Sequence, residues 1–183
     1  MIRIGTDCSG IEAPIQALEQ LKIPFKHVFC SEIDKYCIQS IKANYNPDII
    51  FGDKDGLYPE GDITKRNIND VPDIDLYVCG FPCQPFSQAG DRKGFIDKKG
   101  NVFFGCLKVI QEKTPKIFIL ENVKGLLSNN KKKTFTKILN ELEDLKIYNI
   151  YHKVLNTKDY GIPQNRERIY IIGIKKSEKF VFE

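Results

Sequence analysis

Short apolar runs alternate with longer segments of helical period along the whole chain, and that alternation points to strand-helix repeats and a mostly parallel sheet. Ile2 to Thr6 reads as a first strand, His27 to Ser31 as a second and Asp75 to Cys79 as a third. Ile117 to Leu120, Ile150 to Leu155 and Ile169 to Ile174 complete the set. Between them, Ile11, Ile15, Leu18 and Leu21 recur at helical spacing, with Pro24 just beyond. Asp34 is placed to cap a helix running to Asn44, because its side chain can accept from the free amides of the first turn. Val102 to Lys113 and Thr134 to Leu145 also read as helices. No internal repeat or domain boundary interrupts the pattern. The expectation is one α/β domain over residues 1–183, a doubly wound and mostly parallel sheet.

At 183 residues and 42% hydrophobic content, the chain can build a core of its own. No apolar run approaches the length of a membrane helix, roughly 20 residues. The start, MIRIGTDCSG, lacks the apolar stretch of a signal peptide. A cytoplasmic location in a bacterial or virally infected cell, or a nuclear one, is expected, with no secretion and no membrane partner. The six cysteines form no CxxC pair, so reduced thiols and no metal are expected. Residues 1–90 carry 8 Lys+Arg against 13 Asp+Glu, and residues 91–183 carry 20 against 11. The basic second half suits either attraction to a polyanion or a plain lysine-rich surface.

A doubly wound sheet binds ligands beyond the carboxyl ends of its strands. The first strand runs into Asp7, Cys8, Ser9 and Gly10, and Glu32 follows the second, where a carboxylate can accept from both hydroxyls of a ribose. Asp62, before Ile63, could meet an adenine amino group in the same way, though each of these residues is also ordinary for a turn or a cap. There is no GxGxxG, so a nucleoside-type cofactor is favoured over a dinucleotide. The stretch Gly80-Phe81-Pro82-Cys83-Gln84-Pro85-Phe86-Ser87 holds a cysteine directly after a strand between two backbone-restricting prolines, the setting of a nucleophile more than of a packing thiol. Glu121-Asn122-Val123 follows another strand and should face the same cleft. In Gln164-Asn165-Arg166-Glu167-Arg168, one arginine is expected to serve a site and the other structure.

Taken in order, these segments resemble the catalytic domain of the DNA (cytosine-5) methyltransferases. Asp7 to Gly10 is similar to the family's first S-adenosylmethionine loop, Ser31-Glu32-Ile33-Asp34 to its second motif and Gly61-Asp62-Ile63-Thr64 to its third. Gly80 to Pro85 resembles the nucleophile motif, Glu121 to Val123 the ENV tripeptide and Gln164 to Arg168 the QxRxR motif. The resemblance implies a Rossmann-like methyltransferase fold and S-adenosyl-L-methionine held by Asp7, Cys8, Ser9, Gly10, Glu32, Ile33, Asp62, Ile63 and Pro82. It implies catalysis by Cys83, Glu121, Arg166 and Arg168, with Gln84, Ser87, Asn122 and Val123 against the substrate. Cys83 would add to C6 of a flipped cytosine, a carboxyl proton on Glu121 would go to N3, and Arg166 or Arg168 would hold the pyrimidine carbonyl. A raised pKa at Glu121 would help.

The stretch from Ser87 to Gly100, with its glycines and basic residues, then suits a loop closing over nucleic acid. The first loop departs from the family, which has an aromatic residue and further glycines where this chain has Cys8, Glu12 and Ala13. The sequence also stops at Phe180-Val181-Phe182-Glu183, before any target recognition region, as expected of one half of a split enzyme, a fragment or a degenerate copy. The expected partner is cytosine-containing duplex DNA, with a second polypeptide to read it. Rival readings are an RNA (tRNA) methyltransferase and an inactive module that binds S-adenosylmethionine or DNA.

Overall fold

The computed structural model describes residues 1–82 and 102–178. Its centre is one seven-stranded sheet in the order β3-β2-β1-β4-β5-β7-β6. The strands are β1 (Ile2–Asp7), β2 (Phe25–Ser31), β3 (Ile50–Phe51), β4 (Leu76–Cys79), β5 (Ile117–Val123), β6 (Tyr148–Asn156) and β7 (Glu167–Lys175). The helices are α1 (Ala13–Gln20), α2 (Lys35–Asn44), α3 (Val102–Lys113) and α4 (Lys133–Glu143). The first five strands pair in parallel, whereas β7 runs antiparallel between β5 and β6.

The pleat of β4 separates two cores. Tyr77 and Cys79 join the larger, which α3 fills with Phe103, Cys106, Leu107 and Ile110 and α4 with Ile138 and Leu142. Leu76 and Val78 turn the other way, to a smaller cluster built on Ile4 and on Ile15 and Leu18 of α1. Helices thus cover both faces, as a doubly wound sheet requires. Among the described residues no helix is long and apolar enough to cross a membrane.

Several boundaries differ from expectation. Helix α1 begins at Ala13 because Gly10 and Glu12 take left-handed backbones, with φ of 55° and 63°, and the chain cannot enter a right-handed helix before them. Ile11, expected on the helix's buried stripe, is exposed. Strand β5 continues through Glu121 to Val123, which were expected just beyond it, because β7 supplies partners there: Tyr170, Ile169 and Arg168. The cap of α2 is as expected, with Asp34 accepting from the amides of Tyr36 and Cys37 at 2.8 and 3.1 Å.

At the amino ends of the central strands, Asp75 accepts from Arg3 Nε at 3.0 Å and from its amide at 3.1 Å. Chiefly through the Arg3 hydrogen bond, its pKa falls to about 2 from the ordinary 3.8. A lowered folded-state pKa stabilises above the unfolded value, and the contribution is lost as pH falls from about 4 towards about 2. With Arg3 half exposed, the contribution is about 1–2 kcal/mol. Urea unfolding of Asp75→Asn against the parent at pH 7 and at pH 2 should show that gap at the first and close it at the second.

Candidate active site

The carboxyl ends of β1, β2 and β4 open onto a cavity of about 360 Å³ lined by Cys8, Ser31, Glu32, Ile33, Gly61, Asp62, Ile63, Gly80, Pro82 and Val102. Six residues singled out for a cofactor therefore meet there: Cys8, Glu32, Ile33, Asp62, Ile63 and Pro82. The volume falls within the range of about 300–1,000 Å³ typical of small-molecule sites. Main-chain packing brings the two carboxylates to one cavity, for a Cβ on either Gly52 or Gly61 would overlap the Glu32 carbonyl. Ser31 Oγ also donates to Gly61 O at 3.0 Å.

Glu32 is oriented by three backbone amides, those of Ile33, Gly10 and Asp34, at 2.7, 2.9 and 3.1 Å. Asp62 accepts from the hydroxyl and amide of Thr64 at 2.7 and 3.0 Å and pairs with Lys65 at 3.0 Å. Burial pushes its pKa up, but Thr64 and Lys65 outweigh burial and hold it below the ordinary value. Two carboxyl groups and the apolar surfaces of Ile33, Ile63 and Pro82 form a set suited to a nucleoside bearing a positive charge.

Three predicted residues do not line this cavity. Ser9 is buried, its hydroxyl 2.8 Å from that of Thr6, and it accepts from the Ser31 amide at 3.1 Å. Gly10 takes part through its amide on Glu32. Asp7 turns inward and receives Arg66 in two parallel hydrogen bonds of 2.7 and 2.9 Å, with Tyr77 donating at 2.7 Å. Arg66 went unnoticed in the sequence. Its guanidinium stacks 4.4 Å from the Phe51 ring centre. Burial works to lower the Arg66 pKa, but Asp7 outweighs it and the net shift is upward. The pair ties the segment after Asp62 to the end of β1.

Across the mouth of β4, Arg168 and Glu121 form an ion pair, with Nε 2.9 Å from Oε1. The two meet because Arg168 stands opposite Val123 in the β5–β7 ladder, two positions from Glu121. A Cβ on Gly80, which lines the cavity, would stand 3.4 Å from Glu121 Oε2, so pair and cavity adjoin. Asn122, expected at the substrate, is buried, and its side chain donates to Phe81 O at 2.8 Å. It braces the turn into Pro82. Val123 is partly exposed at the strand end. Arg166 lies before β7 with its side chain exposed, and its amide donates to Asn156 Oδ1 at 3.1 Å. Cys83, Gln84, Ser87 and the expected closing loop lie outside the described residues.

A sheet of this order with one antiparallel strand, carrying a cofactor-sized cavity at the ends of its first strands, is the Rossmann-like fold of S-adenosylmethionine-dependent methyltransferases. Solved structures share it: the Dnmt2 methyltransferase of S. pombe superimposes with a TM-score of 0.73 at 22% identity, covering 99% of this chain and 53% of that one. The profile of the C-5 cytosine-specific DNA methylases matches residues 6–183, and the chain belongs to that family. Among curated relatives, the Type II methyltransferase M1.ScrFI of Lactococcus lactis subsp. cremoris is 50% identical over 151 residues, covering 82% of this chain and 36% of that protein. M.NlaX of Neisseria lactamica is 43% identical over 173 residues, covering 94% and 52%. The chain thus spans between about a third and a half of these relatives' length.

Proposed function

We propose that this chain carries the catalytic portion of a DNA (cytosine-5) methyltransferase acting on a cytosine swung out of the duplex. The observation that carries the reading is the Glu121–Arg168 contact of 2.9 Å beside Gly80, at the edge of a cavity that suits S-adenosyl-L-methionine. Glu32 and Asp62 would hold that cofactor's polar groups, with Ile33, Ile63 and Pro82 along its apolar surface. When bound, it supplies an electrophilic methyl group.

The chain's own residues do the rest. The Cys83 sulfur adds to C6 of the pyrimidine while a proton on Glu121 passes to N3, which leaves an electron pair at C5 to take the methyl group. Loss of the C5 proton to solvent then expels the sulfur as thiolate, and the N3 proton returns to the Glu121 carboxylate, which restores the ring. Arg168 orients Glu121 and offers its remaining N–H groups to the pyrimidine carbonyl. Asn122 keeps the turn before Cys83 in register with Glu121. The exposed Arg166 guanidinium is available to the substrate.

A duplex carrying 5-fluorocytosine tests this, because fluorine cannot leave as the proton does and the adduct stalls. With S-adenosylmethionine, the protein should become attached to the DNA in a form that survives denaturing electrophoresis, and Cys83→Ser should abolish it. The chain is assayed alone and mixed with the polypeptide encoded beside it, since its relatives are longer. Attachment only to the corresponding RNA would replace the DNA assignment, and no attachment in any mixture would overturn the enzymatic one.

A further inference from the structure

A second cluster lies under the start of α1, away from the reacting groups. Glu12, His27 and Cys30 are all buried, and their ligand atoms lie within 4.8 Å of one another. Glu12 is 0% exposed, His27 7% and Cys30 0%. Glu12 Oε1 accepts from the Thr6 hydroxyl at 2.7 Å, but Glu12 Oε2 and both His27 nitrogens have no hydrogen-bond partner. His27 Nε2 stands 3.4 Å from Glu12 Oε1 without hydrogen-bond geometry. Three unsatisfied polar atoms in one closed space are costly. Glu12 adds the strain of a left-handed backbone, with φ 63°, that favours glycine.

The backbone is shaped to gather these groups. The register of β1 against β2 slips at Val28, with Ile4 opposite His27 and Gly5 opposite Phe29. An unbroken strand would turn positions three apart to opposite faces, whereas the slip brings His27 and Cys30 together. Burial, reinforced by the carboxylates of Glu12, Asp7 and Glu32, pushes the Cys30 thiol up. A cation in the cluster would face a carboxylate and an imidazole with unpartnered atoms, and a sulfur beside them.

We infer that Glu12, His27 and Cys30 form a closed binding site for a borderline divalent metal ion of the zinc class. The donor set decides the class: one thiolate, one imidazole and one carboxylate suit Zn²⁺ or Co²⁺, and a thiolate does not suit Mg²⁺ or Ca²⁺. Tetrahedral Zn²⁺ with bonds of about 2.0–2.3 Å sets its donors roughly 3.3–3.8 Å apart, so donors now within 4.8 Å of one another need to close by no more than about 1.5 Å. Binding exchanges the Cys30 proton, released to the buffer, for the metal and leaves the second Glu12 oxygen or one water as fourth ligand. The ion pins β2 to the turn that carries Gly10, and so steadies the loop bordering the cofactor cavity.

Cobalt titration of the full chain, freed of metal by chelation, is the test. One equivalent should produce the visible bands of a tetrahedral site and a thiolate-to-cobalt charge-transfer band. Cys30→Ala should remove the charge-transfer band, and Cys37→Ser should leave it intact. Zn²⁺ at a hundredfold excess over its Kd should raise Tm by about 5–10 °C. Glu12→Gly, which also relieves the backbone, should stay folded without metal and lose that response, with affinity reduced more than about 100-fold. A folded parent chain that shows no thiolate band, or whose band survives in Cys30→Ala, would overturn the assignment. So would a crystal structure grown with zinc that holds only water between Glu12 and His27.

Discussion

Replacing Arg66 by alanine should destabilise the protein by about 3–5 kcal/mol, because it strands the Asp7 carboxylate where water cannot reach it. Asp7 is 1% exposed and Arg66 7%, and their two parallel hydrogen bonds share the site with the Tyr77 hydroxyl. The comparison that isolates the cause is the triple variant Asp7→Leu, Arg66→Met, Tyr77→Phe, which removes every member of the network. A buried ion pair exchanged whole for apolar groups is often neutral or better. Urea unfolding should therefore show most of the lost stability regained in the triple variant. An Arg66→Ala protein within about 1 kcal/mol of the parent would mean that water or a local shift solvates Asp7.

Glu121→Gln should lower the single-turnover methylation rate by about 10²–10⁴-fold while cofactor binding changes little. The amide fills the same space but has no acidic proton for the ring, and among the described residues Glu121 stands outside the cavity lining, behind Gly80. Arg168→Ala should fall by a similar factor, since it removes the cation 2.9 Å from the Glu121 carboxyl group. Because the two act through one contact, the double variant should be little worse than either single one. Rapid-quench assays under saturating cofactor, with binding followed separately by calorimetry, distinguish lost chemistry from lost binding. Wild-type rates in Glu121→Gln would remove this carboxyl group from the reaction.

What could be read from the sequence was what depends on near neighbours. Asp34 and its helix, the full span of α3 and the order of the apolar strands all follow from local periodicity and capping. The extension of β5 through Glu121 and Asn122 was hidden because polar residues end an apolar run, and only β7, far along the chain, supplies the pairing. Arg66 went unnoticed, and the burial of Glu12 was hidden, for the same reason. The partner that buries Arg66 is 59 residues away, and the cluster around Glu12 depends on a strand slip that no spacing rule registers. The cavity residues were legible because they sit at strand ends, where fold class alone predicts ligands. Asn122 was placed in the right neighbourhood, and its bond to Phe81 O, a partner 41 residues away, could not be read from spacing.

That brace has a mechanical consequence. Asn122 follows Glu121 in the chain, and its amide group is bolted to Phe81 O at 2.8 Å, one residue before Pro82. Any shift of the Phe81–Pro82 turn is therefore passed to the peptide unit that joins Glu121 to Asn122. On the proposed reaction, one side-chain hydrogen bond would then tie the carboxyl group that gives up a proton to the turn leading to the sulfur.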